Sequence, residues 1–101
     1  MNEVIYTVKN RETIADVAAS VGFTAAYIQP LANPTYALIQ AVDDDVRICI
    51  DGTAPTATKG IRLTEDSTIE VWGSTSLINF RVIDDGGTAK LEVIYYGGGG
   101  V

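Results

Sequence analysis

Apolar and polar residues alternate along most of the chain, and this pattern predicts short β-strands. In Val46–Ile50 (VRICI), valine and isoleucine alternate with Arg47 and Cys49, which is typical of a strand with one buried face. Clusters of Gly, Asp, Thr and Ser separate the apolar stretches and indicate turns. The strands are predicted at Glu3–Lys9, Tyr36–Val42, Val46–Ile50, Thr68–Trp72, Asn79–Ile83 and Ala89–Tyr96.

Two connections have the composition of hairpin turns. Asp43–Asp45 separates the second and third predicted strands, and Asp84–Thr88 (DDGGT) separates the last two. The three consecutive aspartates lack the alternating spacing of a calcium-binding loop, so we interpret them as a solvated turn.

Two segments do not fit the strand pattern. Thr13–Val21 has apolar residues at helical spacing before Gly22, which favours one short helix near residues 14–21. Phe23–Thr35 contains two prolines and is interpreted as an irregular connection. The predicted fold is an all-β, small antiparallel β-sandwich, either jelly-roll or Ig-like, over residues 1–96. A flexible glycine-rich tail is expected over residues 97–101.

Length and charge limit the classes of function. The 101 residues suit one domain, and the net charge of −6 with scattered basic residues argues against nucleic-acid binding. Cys49 is the only cysteine, so no intramolecular disulfide can form, and we interpret it as a small buried apolar residue. We see neither a signal peptide nor a membrane-spanning stretch and expect synthesis in the cytoplasm.

The residue types needed for catalysis are sparse. The chain has no histidine, and Glu70 and Glu92 lie on different predicted strands with nothing to bring them together. We therefore expect no enzyme activity, no catalytic residues, no metal site and no cofactor.

Aromatic residues and the C-terminus offer candidate interface positions. Tyr95 and Tyr96 are adjacent on one predicted strand and must point to opposite faces. Trp72 ends another strand. A glycine-rich end is either frayed or a thin arm between neighbouring subunits. The candidate interface residues are Trp72, Tyr96, Gly97, Gly98, Gly99 and Gly100.

The loop after Val46–Ile50 has the composition of a structural brace. Asp-Gly supplies a tight turn, proline fixes one backbone angle, and threonine hydroxyls can bond to nearby backbone. No base or metal ligand accompanies them, so we predict a structural role for Asp51, Gly52, Thr53, Pro55 and Thr56.

The run VRICIDGTAPTATKGIRL, followed by TIEVWGSTSLINFRVIDDGGTAKLEVIYY, resembles a family of small virion proteins of tailed bacteriophages. The resemblance covers Tyr36–Tyr96 and includes the Asp-Gly-Thr-x-Pro-Thr loop. It implies a β-sandwich subunit of the virion, made in the host bacterial cytoplasm. The implied role is capsid decoration or cement, or alternatively a head–tail or tail component. The implied partners are the major capsid protein or other virion proteins, and a homo-oligomer, dimer or trimer, is expected.

A second resemblance gives a different function. Asp51–Thr56 is similar to a loop of Ig-like domains appended to chitobiases and other bacterial surface enzymes. Those domains have aromatic residues before the loop, where this chain has Ile48–Ile50. This alternative implies a carbohydrate-binding or cell-surface module.

Overall fold

A computed structural model describes residues 6–29 and 34–97 of the chain. Its strands alternate buried and exposed positions, as in Tyr36–Val42, where Ala37, Ile39 and Ala41 are buried. The elements are β1 (Thr7–Ile14), α1 (Ala25–Ile28), β2 (Tyr36–Val42), β3 (Val46–Cys49), β4 (Ile61–Leu63), β5 (Thr68–Trp72), α2 (Ser74–Asn79), β6 (Arg81–Asp84) and β7 (Lys90–Gly97).

The strands form two antiparallel sheets, which confirms the predicted all-β sandwich. The large sheet has the order β1-β7-β2-β5, and the small sheet has the order β4-β3-β6. This order differs from the Ig constant-type arrangement, and the described residues form seven strands where a jelly roll has eight. The two-sheet sandwich is confirmed, and the choice between jelly-roll and Ig-like topology stays a prediction.

The core fills the space between the sheets. Alternate residues of each strand point inward, because side chains of a strand alternate between its faces. Phe23 and Phe80 stack at 4.0 Å between ring centroids and close one end of the core. The buried apolar residues are Val17, Phe23, Ala37, Ile39, Ala41, Val46, Ile48, Leu63, Val71, Leu77, Phe80, Val82, Ala89, Leu91, Val93 and Tyr95.

Both predicted hairpins are wrong, because each connection crosses from one sheet to the other. β2 and β7 pair in the large sheet, whereas β3 and β6 pair in the small sheet. The two connections, Asp43–Asp45 and Asp84–Thr88, consequently run side by side. The Asp85 N–H donates to the Asp45 carbonyl at 2.9 Å, and the Thr88 hydroxyl donates to the Asp43 carbonyl at 3.3 Å. Turn-forming residues serve a corner between sheets as well as a hairpin.

The helix predicted near residues 14–21 is also wrong. Ile14 ends β1 opposite Leu91, and Val21 forms an antiparallel bridge with Val82. Val17 is buried in a non-helical segment, where its carbonyl accepts a hydrogen bond from Asp84 at 2.9 Å. The apolar spacing thus reflects an irregular segment that covers the core.

The helices occur where the sequence pattern predicted none. α1 lies in the predicted irregular connection Phe23–Thr35, and α2 includes Asn79, the predicted first residue of a strand. The first strand extends to Ile14, past the predicted end at Lys9. Gly97, predicted to begin the tail, is the last residue of β7 and pairs with Thr7, while residues 98–101 lie outside the described part.

Candidate functional site

An aromatic row crosses the outer face of the large sheet. We define the row as Val8 on β1, Tyr96 on β7, Tyr36 on β2 and Trp72 on β5, together with Tyr6 beside it. The strand register pairs Val8 with Tyr96, Tyr96 with Tyr36, and Tyr36 with Trp72. The four residues therefore form one line across the sheet. Each of the four strands therefore contributes one apolar side chain at the same level.

The rings of the row stand face to face. Tyr36 stacks on Trp72 with 4.0 Å between ring centroids and on Tyr96 with 4.7 Å. Tyr6 meets Tyr36 and Trp72 edge-on at 5.4 Å each. Neighbouring strands lie about 4.8 Å apart, which is the distance at which aligned rings stack. The central ring, Tyr36, consequently has a stacked neighbour on each of its two faces.

The row is exposed although it is apolar. The exposed fractions are 38% for Tyr6, 58% for Val8 and 46% for Trp72, and the other two residues are half-buried. Soluble monomers usually expose apolar residues singly, so this continuous row is the candidate interaction surface among the described residues.

Two further rows lie on the same outer face of the large sheet, and the face becomes more polar from the first row to the third. The second row runs Arg11, Ile94, Leu38 and Glu70 from β1 to β5, so a charge of opposite sign stands at each edge of an apolar centre. In the third row, hydroxyl, amide and carboxylate side chains replace the apolar ones. Its members are Thr13, Glu92, Gln40 and Thr68.

Electrostatics within the row are mild. Partial burial and the neighbouring Tyr96, Glu70 and Tyr6 raise the pKa of Tyr36, so its phenol stays neutral at physiological pH. The Trp72 indole N–H donates to the Glu70 carboxylate at 3.1 Å. The row therefore carries no charge of its own and is bordered by Glu70.

Beneath the row, Tyr95 fixes the position of β7. Its ring is fully buried, and its hydroxyl donates to the Glu12 carboxylate of β1, which also accepts from the Thr24 hydroxyl. Burial, and then Glu12, raise the pKa of Tyr95 well above its ordinary value. This interaction ties β1 to β7 at the level where the aromatic row lies on the opposite face.

The Asp51–Thr56 loop connects β3 to β4 and contacts α2. The Asp51 carboxylate accepts from the Thr53 N–H at 3.0 Å, which lowers the pKa of Asp51. Pro55 is buried, and the Gly52 N–H donates to the Asn79 carbonyl at 3.2 Å.

The same loop closes on its own backbone. Thr56 and Lys59 exchange backbone hydrogen bonds of 3.0 and 3.3 Å, and the Thr56 hydroxyl accepts from the Thr58 N–H at 3.2 Å. Gly60 has a φ of +118°, and a Cβ there would lie 2.9 Å from the Ile48 carbonyl oxygen. The structure thus places the predicted loop residues in a folded hairpin loop. None of them belongs to the aromatic row.

Aspartates of the two corner connections pair with three basic side chains, one of which is Lys90, with Asp43 at 3.4 Å. Arg62 pairs with Asp45 at 2.6 Å and with Asp85 at 3.2 Å, and Arg47 pairs with Asp85 at 3.4 Å. The Glu65 N–H, followed by Arg62, lowers the pKa of Asp45. Among residues 6–29 and 34–97, no group of three or more His, Cys, Asp or Glu side chains could hold a metal ion.

An open apolar groove of about 410 Å³ lies where β3 meets β4. Cys49 is half-buried in its wall, so the prediction that this side chain is buried was wrong. The groove has no charged lining besides Asp51, and the exposed Ile61 forms its rim. Its other lining residues are Ile48, Ile50 and Gly60.

The sequence pointed to part of the aromatic row. Trp72 and Tyr96, predicted as interface residues, lie in it on either side of Tyr36. Tyr6, Val8 and Tyr36 were missed. The available signal was the pair of consecutive apolar outward positions on each central strand, Tyr36 and Leu38 on β2 and Ile94 and Tyr96 on β7, where alternation predicts polar residues. Glu70 and Glu92 share the outer face but are separated by β2. The candidate residues Gly98, Gly99 and Gly100 lie outside the described residues.

Comparison with known proteins gives no match. No protein-family model, no curated protein and no solved structure matches the chain. Within the described residues, neither helix has the length and apolar character needed to cross a bilayer.

Proposed function

We propose that this protein is a structural subunit of a tailed-bacteriophage virion, most plausibly a decoration or cement protein of the capsid. The single observation that carries a role in assembly is the exposed aromatic row on a flat sheet face. The association with phage particles depends on the sequence resemblance over Tyr36–Tyr96. A head–tail or tail position is compatible with the same surface.

The chemistry of the row suits a protein partner. Interfaces are enriched in tyrosine and tryptophan, because these rings bury large area at small cost in side-chain entropy. Trp72 and Tyr96 flank Tyr36, so removing either opens a gap at the centre of the surface. Many identical weak contacts on a symmetric shell add to tight overall binding.

Carbohydrate binding is the second candidate, favoured by the exposed indole of Trp72. Sugar rings bind aromatic side chains through their flat faces. In the row, both faces of Tyr36 are covered by Trp72 and Tyr96, which leaves edges for a ligand. This geometry favours a protein interface over a sugar platform.

Quantitative mass spectrometry of purified phage particles tests the proposal. We expect the protein at a fixed copy number per particle, with that number strongly reduced by Trp72→Ala. Lys59→Ala, in the β3–β4 loop, is the matched surface control and should keep the wild-type copy number. Absence of the wild-type protein from the particles would contradict the proposal.

A glycan array separates the second candidate. A structural subunit should bind no glycan, so Trp72→Ala and Tyr96→Ala should leave the array signal at background. Binding that is lost in both variants would favour the carbohydrate-binding module.

A further inference from the structure

We infer that the aromatic row is covered by the large sheet of a second copy of this chain, related by a two-fold axis that runs parallel to the strands. This inference rests on the proposed function only in taking the row as a protein interface, and it names the partner. It is argued from the order of side chains across the sheet.

A two-fold axis parallel to the strands keeps each row level and reverses its order. With the axis between the two central strands, β1 faces β5 of the second copy and β7 faces β2. Two-fold interfaces place the same patch on both subunits, so every contact occurs twice.

Charge complementarity follows in the second row. Arg11 stands at the β1 edge and Glu70 at the β5 edge, and reversal places each Arg11 opposite a Glu70 of the second copy. The Arg11 side chain is 76% exposed, and its contact within the chain is a distant pair with Glu92 at 3.8 Å. Glu70 is exposed and accepts from the Trp72 indole through one carboxylate oxygen, so its second oxygen can accept from Arg11 of the other copy.

The other rows match under the same operation. In the second row, Ile94 meets Leu38 of the second copy at the apolar centre. In the third row, the Gln40 amide, which donates to the Asp66 carbonyl in its own chain, has a second N–H for the Glu92 carboxylate of the other copy. In the aromatic row, reversal brings Tyr96 opposite Tyr36 and Val8 opposite Trp72 of the second copy. Removing this apolar surface from water favours association.

The competing two-fold axis, perpendicular to the strands, lacks this complementarity. It places β1 against β1 and β5 against β5, so it never brings Arg11 opposite Glu70, and with the axis at the second row each of these side chains faces its own counterpart. Like charges placed opposite each other at an interface disfavour association. The charge order therefore selects the parallel axis.

Charge reversal in separate chains tests this inference. We expect the wild-type protein to dimerise in sedimentation equilibrium, and Arg11→Glu or Glu70→Arg alone to raise the dissociation constant by at least about tenfold. Each single variant opposes like charges twice. An equimolar mixture of the two variants restores both opposite-charge contacts and should dimerise with near wild-type affinity.

Two controls accompany the mixture. Lys59→Glu changes the net charge by the same amount as Arg11→Glu but lies in the β3–β4 loop, so its dissociation constant should stay at the wild-type value. Trp72 is the only tryptophan, so its fluorescence should shift to shorter wavelength with rising concentration as the row becomes covered. Circular dichroism checks that each variant is folded.

The outcomes are distinct. A wild-type protein that stays monomeric, single variants that dimerise normally, or a mixture of weakened variants that does not recover would each overturn the inference. The copy number on phage particles is measured separately. The proposed function can therefore be contradicted while the dimer is confirmed, and the dimer can be contradicted while the proposed function is confirmed.

Discussion

The outer faces of the two sheets differ in how they meet solvent. On the small sheet, Arg47 lies directly opposite Arg62, and both side chains pair with aspartates of the corner connections. On the large sheet, the corresponding positions of the aromatic row carry apolar rings that contact one another. The charged outward side chains of the small sheet are thus paired within the chain, whereas the aromatic row leaves apolar side chains in contact with solvent.

The difference teaches that strand alternation alone does not define an interior. Both sheets share one core and follow the same two-residue period. The outward residues of β3 are Arg47 and Cys49, whereas three of the four outward residues of β2 and two of the four of β7 are apolar. Functional information in this molecule lies in those outward positions, since the inward ones are determined by packing.

The adjacent residues Tyr95 and Tyr96 of β7 allow a direct test of the difference between an inward and an outward side chain. Tyr95→Ala should destabilise the protein by about 3–5 kcal/mol, because a fully buried ring is removed from the core. Tyr96→Ala should cost about 1 kcal/mol, since only contacts within the exposed row are lost. Urea denaturation measures both free energies of unfolding, and equal losses would contradict the assignment of faces.

The hairpin that carries the charged face depends on one glycine. Gly60→Ala should destabilise the protein by about 1–3 kcal/mol, since a Cβ would lie 2.9 Å from the Ile48 carbonyl at a φ of +118°. Gly52→Ala is the control. Its φ is +88°, but a Cβ there would make only ordinary van der Waals contact with the Asn79 side chain at 3.7 Å, so its loss should be smaller. Thermal unfolding of the two variants should separate steric conflict from backbone strain, and a larger loss for Gly52→Ala would contradict the packing described.

Alkaline pH tests the buried phenol beneath the row. The pKa of Tyr95 is raised in the folded state, so the folded protein keeps this proton while the unfolded chain loses it above pH of about 10. Stability should be full below that pH and fall above it. Tyr95→Phe should cost about 1–2 kcal/mol at neutral pH, through the lost hydrogen bond to Glu12. Tyr95→Phe should also reduce the loss of unfolding free energy at alkaline pH, as measured by urea denaturation. An unchanged loss would contradict this explanation.

Acid pH tests the charged face and should give the smallest effect. The pKa of Asp45 is lowered in the folded state, so its stabilising contribution is present above about pH 4 and is lost as pH falls through the folded pKa. Asp45→Asn should reduce stability at neutral pH and weaken the acid dependence. Asp51→Asn, in the β3–β4 loop, is the control with its own lowered pKa but no contact with Arg62. Urea denaturation at low and high salt measures the free energy of unfolding of both variants. An equal effect of salt on that free energy in the two variants would contradict the ion-pair assignment.

The local pattern predicted the central strands well. The bounds of β2 and β5 agree with the predicted Tyr36–Val42 and Thr68–Trp72, because alternation and flanking turn residues act over a few neighbours. The opposite orientation of Tyr95 and Tyr96 followed from the same geometry. The helix predicted near residues 14–21 failed because the burial of Val17 and Val21 also satisfies an irregular segment covering the core.

The aromatic row could not be predicted from the local sequence pattern. Val8 and Tyr96 are far apart in the sequence, as are Tyr36 and Trp72, and only the register of long-range strand pairs places them at one level. A shift of one residue in any pair would send that side chain to the other face. Nothing in the sequence near any of these residues specifies that register.

The sequence by itself determined the strand content, the single-domain size, the acidic charge and the composition of the turns. The tertiary structure decided which sheet each strand joins, since aspartate and glycine turns suit a corner as well as a hairpin. It also decided that Tyr6, Val8, Tyr36, Trp72 and Tyr96 meet. The physical reason is that backbone conformation is a local property, whereas strand pairing and burial depend on the whole chain.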